Sequence, residues 1–536
     1  MKRFLLSTCI CLLAGAACFA RSDNAGLANA NLQGLYVNSL PQVLRLEPEQ
    51  IDLAVAAFIV SEQWSDIVAG RRYLAALDDM AYQIRDELDA RNLPLDHRAI
   101  PIINKYLFET ERYTAVSQAA DPNDLFLHCV MDNRKGYCLS LSILYLSLAE
   151  RLGLPLYGVV VPGHFFVRYD DGKVVFNIET TSNGAIASDE HYIKKFKVPP
   201  HDGSGLYMRK LNKLQTLGCL FNNLGNTYDA VGDEDTAMEI LEAAAEINPS
   251  LAEARMNLGN IYLKKERVAD AIFEYQAALK INPGDAKAHI NLGNAYNERG
   301  WLADAINEYT AAIQLDHGII DGYKNLALVY TKQDKYHSAL AQLKQAVAIE
   351  PTDAALYTRL GDVHMRMGDY DKAVSLHKKA LEMNPGLAEA YHGLGLCYEK
   401  LGRPDEQIEA YKRALAINPN MVGALVNLAN AYVSRQEYDL AIEYYRKALS
   451  LKPNDAMIHY NFGIAYVNKG DFEEAVRLYE KAVGIEPDMG DAHNGLAYGY
   501  YRLGKPDLAI KHLNRARRLG IEVDENLAQA LERKAR

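Results

Sequence analysis

The sequence predicts a multidomain protein, with an N-terminal α+β domain followed by an all-α solenoid that winds into a superhelix. Two observations indicate this fold class. Prolines recur every 34 residues through the C-terminal half, and the preceding region combines apolar-periodic stretches with two short β-rich runs. The length of 536 residues agrees with this division, because a single hydrophobic core rarely serves more than about 250–300 residues.

Composition narrows the classes of function. Hydrophobic residues make up 49% and charged residues 24% of the chain, as in ordinary folded proteins. The net charge of −11 argues against a nucleic-acid-binding protein, because phosphate recognition needs a basic face. The chain has no Cys-x-x-Cys pair and no metal-ligand spacing, so we predict no metal and no cofactor.

Residues 1–20 have the pattern of a secretory signal peptide. Lys2 and Arg3 precede a mostly apolar run of fourteen residues, whereas a membrane-spanning helix needs roughly 20. Cleavage after Ala17, cleavage after Ala20 and lipoprotein processing at Cys18 all remain open. No later segment is apolar enough to be a membrane span. We therefore expect an exported protein, in the bacterial periplasm or at the outer membrane, with a lipid anchor at Cys18 as one alternative.

Residues 36–205 do not repeat and form the predicted N-terminal domain. Apolar periodicity predicts helices over Gln50–Glu62 and Ile67–Ala90, and a third that starts within Pro101–Phe108. A helix that is apolar on most sides begins at Cys138, and the sequence Gly-Leu-Pro at 153–155 ends it. The β-rich runs 159–169 and 173–180 predict a hairpin with its turn at residues 170–172.

A cysteine at a helix N-terminus, a histidine on one strand and a carboxylate on the next suggest a thiol nucleophile. The helix dipole favours the thiolate of Cys138, His164 can take its proton, and Glu179 can hold the imidazole. The N–H of Cys138 is one oxyanion donor, and the sequence identifies no second. Three alternatives stay open: Asn177 orients the histidine, a disulfide to Cys129 silences the thiol, or Cys138 is a small core residue.

This region resembles the transglutaminase-like superfamily, in particular its bacterial SirB-type branch, over residues 40–195. The matching motifs are Gly136-Tyr137-Cys138, Leu152-Gly153-Leu154-Pro155, Pro162-Gly163-His164-Phe165 and the acidic strand that follows. The resemblance implies a papain-like α+β fold with Cys138 as nucleophile, His164 as base and Glu179 as acidic partner. Aspartate is usual in the last role, so Glu179 departs from the pattern by one methylene. In this branch the nucleophile position is not always a cysteine.

Nine units of 34 residues fill positions 218–523, with a predicted linker helix at 206–217 and a capping helix at 524–536. In the first unit Leu224, Gly225, Tyr228, Ala237 and Ala244 fall at positions 7, 8, 11, 20 and 27, and later units repeat the set. The pattern closely resembles the tetratricopeptide repeat, in which two helices per unit pack against the next unit. Small residues at positions 8, 20 and 27 let helices approach closely, and the tyrosine at 11 fills the space between units.

Asparagine recurs at position 6 of six units. The residues are Asn223, Asn257, Asn291, Asn325, Asn427 and Asn461. One interpretation is a ladder of amides on the concave face that binds a protein or an extended peptide, since such arrays form extended binding surfaces. The alternative is that these asparagines belong to the general repeat pattern and indicate no partner.

Together these patterns predict an exported cysteine hydrolase or acyltransferase whose repeats bind a protein substrate or partner. The alternative is a catalytically inactive envelope scaffold that mediates protein–protein interactions through its repeats alone. A third interpretation is a structural spacer for an outer-membrane assembly. The thiol chemistry of residue 138 separates the first interpretation from the other two.

Overall fold

The computed structural model describes residues 37, 39–65, 70–198, 207–523 and 525–535. The predicted signal peptide and Cys18 lie outside the described residues. The described chain divides into two compact units, one ending at Asp304 and the other beginning at Ala305.

Seven α-helices form the helical part of the N-terminal domain in the described residues. They are α1 (Leu40–Val43), α2 (Leu53–Trp64), α3 (Gly70–Ala90), α4 (Ile100–Asn104), α5 (Leu127–Asn133), α6 (Cys138–Leu152) and α7 (Asp189–Phe196). The first predicted helix begins later than expected because Asp52 caps it, accepting a hydrogen bond from the Val55 N–H at 3.0 Å. Helix α4 continues as a π-helical turn over Lys105–Thr110.

The strands form two sheets. Strands β1 (Thr114–Ala115) and β2 (Lys135–Gly136) pair in parallel, and β3 (Leu156–Val161), β4 (His164–Asp170), β5 (Val175–Glu179) and β6 (Ala185–Ala187) form an antiparallel sheet in sequence order. The prediction of a single strand over 159–169 is wrong. Pro162 has no N–H to donate and Gly163 has a φ of 70°, so the chain reverses and Val161 pairs with His164.

Helix α6 is the central helix of the domain. It packs against β4, α2 and α3, and almost all of its side chains are buried. Gly153, with a φ of 73°, ends it in the left-handed conformation, which confirms the predicted stop. The Ser142 hydroxyl donates to the Cys138 carbonyl at 2.7 Å, satisfying a polar group inside this apolar helix. The burial of α6 places the first residue of the helix, Cys138, at the edge of the domain core.

Eighteen helices, α8 to α25, follow as nine consecutive pairs, here called the array. Six helices of the array begin in the first compact unit. They are α8 (Lys213–Ala230), α9 (Glu234–Ile247), α10 (Ala252–Lys264), α11 (Val268–Ile281), α12 (Ala286–Glu298) and α13 (Leu302–Leu315), and α13 ends in the second compact unit. The others are α14 (Ile320–Lys332), α15 (Tyr336–Ile349), α16 (Ala354–Arg366), α17 (Tyr370–Met383), α18 (Ala388–Lys400), α19 (Pro404–Ile417), α20 (Val422–Ser434), α21 (Tyr438–Leu451), α22 (Ala456–Lys469), α23 (Phe472–Ile485), α24 (Gly490–Arg502) and α25 (Pro506–Arg518). Helix α26 (Glu525–Ala535) buries Leu527 and Leu531 in the core of the last repeats.

Within the described residues 207–217 there is no separate linker helix of the kind predicted for 206–217. Helix α8 begins at Lys213 and continues into the first repeat without a break. The reason is the cap at Asn212, whose side chain accepts from the Gln215 N–H at 2.8 Å, while Gln215 returns a bond to the Asn212 N–H. The first repeat therefore has a longer leading helix than those that follow.

Tyrosines fill the space between helices of neighbouring repeats. The Tyr262 hydroxyl, at position 11, donates to Glu242 of the preceding repeat at 2.8 Å, as the sequence predicts. Tyr275, at position 24, is fully buried, and a Cβ added to Gly259 would lie 2.6 Å from its ring. The glycine at position 8 is thus explained by the tyrosine that packs on it.

The first repeat shares one hydrophobic core with the N-terminal domain. Phe221 is fully buried and contacts the Trp64 ring edge-on at 5.4 Å between centroids. The Tyr228 hydroxyl donates to the Trp64 carbonyl at 2.7 Å, and Lys213 pairs with Glu150. Tyr228 occupies position 11 of the first repeat. It contacts the N-terminal domain, as Tyr262 at position 11 of the second repeat contacts the preceding repeat. These contacts attach α8 firmly to the N-terminal domain.

Candidate active site

Cys138 is the first residue of α6, and its side chain lies at the N-terminal end of a buried helix. The residue is 3% exposed. Its carbonyl accepts hydrogen bonds from Ser142 at 2.7 Å and from Thr180 at 3.4 Å, which hold the first turn in place. The helix dipole favours a negative charge at this end, so the location suits a thiolate.

His164 follows the Pro162–Gly163 turn as the first residue of β4. Its ring stacks on Phe196, with 4.6 Å between centroids and 4° between planes. Nε2 lies 2.7 Å from a Glu179 carboxylate oxygen, and Cys138 is close enough to act on the pKa of the imidazole. Because Nε2 is hydrogen-bonded to Glu179, Nδ1 is the imidazole nitrogen that can exchange a proton with the Cys138 sulfur. The structure therefore brings the three predicted residues together.

Glu179 ends β5, and its carboxylate has several donors besides the histidine. The Tyr192 hydroxyl donates at 3.1 Å, and Thr181 donates both its N–H, at 3.1 Å, and its hydroxyl. The side chain is 9% exposed. A carboxylate with this many donors stays charged although it is buried. The extra methylene of glutamate is accommodated at the end of the strand.

Asn177, the alternative partner for the histidine, is engaged elsewhere. Its amide donates to Asp189 at 2.7 Å and accepts from the buried Arg168 guanidinium at 2.7 Å. The same guanidinium donates to Asp189 at 2.6 Å. Glu179, two residues further along the strand, reaches the imidazole instead.

At both His164 and Glu179, charge interactions shift the pKa in the direction opposite to the effect of burial. Burial disfavours the charged imidazole, but hydrogen bonds and charge interactions with Cys138 and Glu179 outweigh it and raise the pKa of His164 to about 9. Burial would likewise raise the pKa of Glu179, yet His164 and Thr181 lower it to about 2. The pair is therefore charged across the neutral range, with an imidazolium beside the sulfur.

Glu179→Gln is expected to lower the free energy of unfolding by about 1.5–3 kcal/mol between pH 4.5 and 6.5. Because the pKa of His164 is raised, its charged form stabilises the fold. This stabilisation is fully present below pH 6.5 and is lost as the pH rises through about 9. The lowered pKa of Glu179 contributes stability above 4.5 and loses it as pH falls through about 2. Urea unfolding of both proteins at pH 5.5 and pH 9.5 measures the difference.

The control is Glu239→Gln, at an exposed glutamate on α9. This variant should differ from the wild type equally at both pH values. If the deficit of Glu179→Gln is also the same at both pH values, the charged pair does not contribute to stability.

Cys129 makes a second cysteine–histidine contact, of a different character. Its sulfur lies 3.1 Å from His128 Nε2, and all four cysteines in the described residues are free, so Cys129 forms no disulfide with Cys138. Burial, with the charges of Asp132 and neighbouring acids, raises the pKa of Cys129 to about 11. Burial lowers the pKa of His128. This pair is neutral and provides an internal comparison for Cys138.

Tyr137 is a site residue whose role the sequence did not reveal. Its side chain lines the pocket beside Cys138, and burial, followed by the charge of Cys138, raises the pKa of the phenol to about 12. The phenol is therefore a neutral donor next to the sulfur. The Gly-Tyr-Cys motif marked the position, but only the folded chain turns this ring towards the sulfur.

A pocket of about 220 Å³ opens beside Cys138 and His164. Tyr137, Leu139 and strand residues of the hairpin form its first wall. The second wall comes from α8 and α10 of the array and includes Asn223 and Asn257, two of the predicted partner-binding asparagines. The sequence did not predict that these asparagines lie next to the cysteine.

The six position-6 asparagines are all half-buried. Their side-chain hydrogen bonds within the protein include those of Asn223 to the Cys219 carbonyl (2.9 Å), Asn257 to Asn222 (2.9 Å), Asn291 to Asn260 (3.1 Å) and Asn427 to His392 (3.1 Å). Three of these bonds join adjacent repeats, so the amides have a structural use. Each amide has further donor or acceptor capacity. Peptide binding by these residues, with Asn325 and Asn461, stays a prediction.

Two kinds of feature are absent from the described part of the chain. No group of three or more histidine, cysteine, aspartate or glutamate side chains is placed to hold a metal ion. None of the described helices has the length and apolar character needed to cross a bilayer.

Family comparisons identify both parts of the chain. Residues 71–214 match the transglutaminase-like superfamily. Tetratricopeptide-repeat families match between 220 and 522, at 220–251, 259–300, 286–317, 327–368, 352–420, 429–470 and 460–522. The chain carries a transglutaminase-like domain followed by tetratricopeptide repeats. The repeats make it a protein of the class that binds proteins or peptides.

Individual relatives are distant. A UPF0162 protein of Xylella fastidiosa is 27% identical over 224 residues, which are 40% of this chain and 77% of that protein. Human F-box only protein 21 is 31% identical over 96 residues, 18% of this chain and 12% of that protein. Among solved structures, MamA is 28% identical, with a TM-score of 0.29, and the match covers 30% of this chain and 94% of MamA. A tetratricopeptide repeat protein from Parabacteroides merdae is 17% identical, with a TM-score of 0.42, covering 46% and 98%.

Proposed function

We propose that the protein is an exported cysteine hydrolase or acyltransferase in which Cys138 is the nucleophile, His164 the base and Glu179 the residue that positions the imidazole. The observation that supports the proposal is the arrangement at the N-terminus of α6, where Cys138 and His164 line one pocket and His164 is hydrogen-bonded to Glu179. The repeats bind a protein substrate or partner. The resemblance to the SirB-type branch supports the assignment of the nucleophile position.

In the proposed reaction the Cys138 proton resides on His164, and the sulfur attacks the carbonyl carbon of a carboxamide or peptide. A C–S bond forms, and the carbonyl oxygen becomes an oxyanion near the Cys138 N–H and the Tyr137 hydroxyl. His164 then gives its proton to the leaving amine as the C–N bond breaks, which leaves a thioester. Water or a second amine attacks the thioester, transfers a proton to His164 and releases the thiolate. Glu179 keeps the imidazole oriented throughout.

Alkylation of native cysteines by iodoacetamide tests the activated thiolate. We expect Cys138 in the native protein to react at pH 5 at least about tenfold faster than Cys129, because only thiolates react and an ordinary thiol ionises near pH 8.5. Cys129 is a demanding control, since it is more exposed than Cys138 and also contacts a histidine. Mass spectrometry of tryptic peptides gives the rate at each cysteine.

The same reaction in urea completes the test. Unfolding should slow alkylation of Cys138 at pH 5, although it exposes the sulfur fully. A native Cys138 that reacts no faster than the buried Cys397, or faster only after unfolding, would contradict the proposal.

A catalytically inactive envelope scaffold is the second candidate function. The small exposed fraction of Cys138, 3%, favours it. Complementation of a deletion strain separates the two functions. Full rescue by Cys138→Ala supports the scaffold, and loss of rescue with normal protein abundance supports the enzyme.

Export is part of the proposal and is tested at the N-terminus of the mature protein. Mass spectrometry distinguishes cleavage after Ala17 or Ala20 from lipidation at Cys18. An intact N-terminus in the mature protein would contradict export by this signal.

A further inference from the structure

We infer that the first two repeats form the substrate-selecting wall of the active-site pocket, and that Asn226 and Met256 determine its specificity for an uncharged, extended peptide segment. The inference rests on the proposed function, because it assigns the substrate class of the same site. Both residues line the pocket that contains Cys138 and His164. In this arrangement the beginning of the array is part of the catalytic site.

The second wall is held rigidly against the first. Residues 208–211 run along β3, where the Met208 N–H donates to the Val160 carbonyl at 3.1 Å and the Leu211 N–H to the Gly158 carbonyl at 2.9 Å. Helix α8 follows immediately and buries Phe221 in the core that it shares with the domain. Because α8 is fixed to the domain on both sides of its start, the pocket is a permanent feature of the fold.

The second wall is suited to peptide groups. Asn222, Asn226 and Asn257 present carboxamides, which both donate and accept hydrogen bonds and so match the N–H and C=O of an extended backbone. Asn226 is exposed on α8, which makes its amide accessible. Met256 adds a flexible apolar surface that adapts to different side chains. Such a wall recognises a main chain with little selection for one particular side chain.

The charge of the pocket disfavours acidic substrates. Among the described residues that line it there is no lysine or arginine, whereas Glu253 contributes a carboxylate that accepts a hydrogen bond from Tyr207. An anionic segment would approach this carboxylate, and the cation in the lining, the His164 imidazolium, is already paired with Glu179. The favoured segment is therefore uncharged.

The size of the pocket limits how much of a substrate it can enclose. Pockets that enclose drug-sized ligands measure about 300–1,000 Å³, and this one measures about 220 Å³. It has room for one short segment of a longer chain. The cysteine would then act on the residue held between the hairpin and the repeats.

Two electrophiles of different length test the inference in the full-length protein. The small probe is 2-chloroacetamide, and the long probe is chloroacetyl-Ala-Ala-Ala-amide; with both, sulfur displaces chloride and forms a C–S bond. We expect wild-type Cys138 to react about tenfold faster with the peptide probe, equivalent to about 1.4 kcal/mol. Chloroacetyl-Asp-Asp-Asp-amide should have no such advantage.

Asn226→Ala and Met256→Trp are expected to remove the advantage of the peptide probe, so that the ratio of its rate to the rate with 2-chloroacetamide falls from about ten to about one. The matched controls are Asn294→Ala, at the equivalent position of the third repeat, and Met457→Trp, at an exposed methionine of α22. Neither control residue lines the pocket, and both variants should keep the wild-type ratio.

The outcomes separate the inference from the proposed function. If 2-chloroacetamide modifies native Cys138 no faster than the unfolded chain, the proposed nucleophile is wrong and the inference falls with it. If the small probe reacts rapidly but the peptide probe has no advantage, or keeps its advantage in both wall variants, the inference alone is overturned. An equal advantage for the acidic peptide would overturn the charge argument and, with it, the stated substrate class.

Discussion

His164→Ala is expected to reduce the rate of Cys138 alkylation at pH 5 by about 10–100-fold. In the wild type the imidazolium lies beside the sulfur, and its pKa of about 9 keeps it charged through the neutral range. Without it, the buried thiol has to ionise without a counter-charge. The measurement is the second-order rate constant for iodoacetamide from pH 5 to pH 9.

The shape of the pH profile carries more information than any single rate. Under the proposed function the wild-type rate should change little between pH 6 and pH 8, because the imidazolium beside the sulfur stays charged over that range. The rate of His164→Ala should rise by about tenfold for each pH unit below 8.5, as for an ordinary thiol. The pH dependence of the rate for Glu179→Gln should be intermediate between those of the wild type and His164→Ala. In this variant the imidazole stays in place but loses the carboxylate that favours its charge.

His128→Ala is the matched control for this experiment. It removes the histidine next to Cys129, which contacts that sulfur at 3.1 Å, and leaves the Cys138 pair intact. We expect no change at Cys138. If His164→Ala and His128→Ala have the same small effect on Cys138, the imidazolium does not activate the thiol.

Phe221→Ala is expected to lower the free energy of unfolding by about 3–5 kcal/mol. Phe221 is fully buried and contacts Trp64, so its removal leaves a cavity in the core shared by the domain and the first repeat. The cavity should destabilise α2 and α8 together. Urea unfolding followed by tryptophan fluorescence and by circular dichroism measures the loss.

Phe273→Ala is the control for Phe221→Ala. Phe273 lies in the same compact unit as Phe221 but outside the shared core. Its side chain is 64% exposed on α11, and its removal should change the stability by less than about 0.5 kcal/mol. A similarly small effect of Phe221→Ala would mean that the domain and the first repeat do not share a core, which would weaken the argument for a fixed second wall.

The repeats were the part of the fold that the sequence predicted best. Each unit of 34 residues contacts mainly its neighbours, so spacing along the chain translates directly into packing. Tyr262 and Gly259 illustrate this, because the contacts that their positions predicted are those that the structure has. The β-rich region was predicted less well, since the turn at Pro162–Gly163 divides a run that reads as continuous in composition.

The sequence predicted only part of the candidate site, because local patterns indicate the elements but not the contacts between them. The order of Cys138, His164 and Glu179 follows from a helix start and two strands, and their motifs narrowed the choice. Asn177 and Glu179 could not be separated, because residues two apart on a strand point to the same face. The pairing of Arg168 with Asn177 decided between them, and that contact depends on Asp189 of α7.

The sequence by itself determined the helix pairs, the buried helix behind Cys138 and the residue types for thiol chemistry, because each depends on a local pattern. Only the tertiary structure decided which carboxylate reaches His164, that Tyr137 turns towards the sulfur, and that α8 and α10 face the cysteine across a pocket. These features depend on contacts between residues far apart in the chain. The packing of one apolar surface on another selects such contacts, and no periodicity in the sequence encodes them.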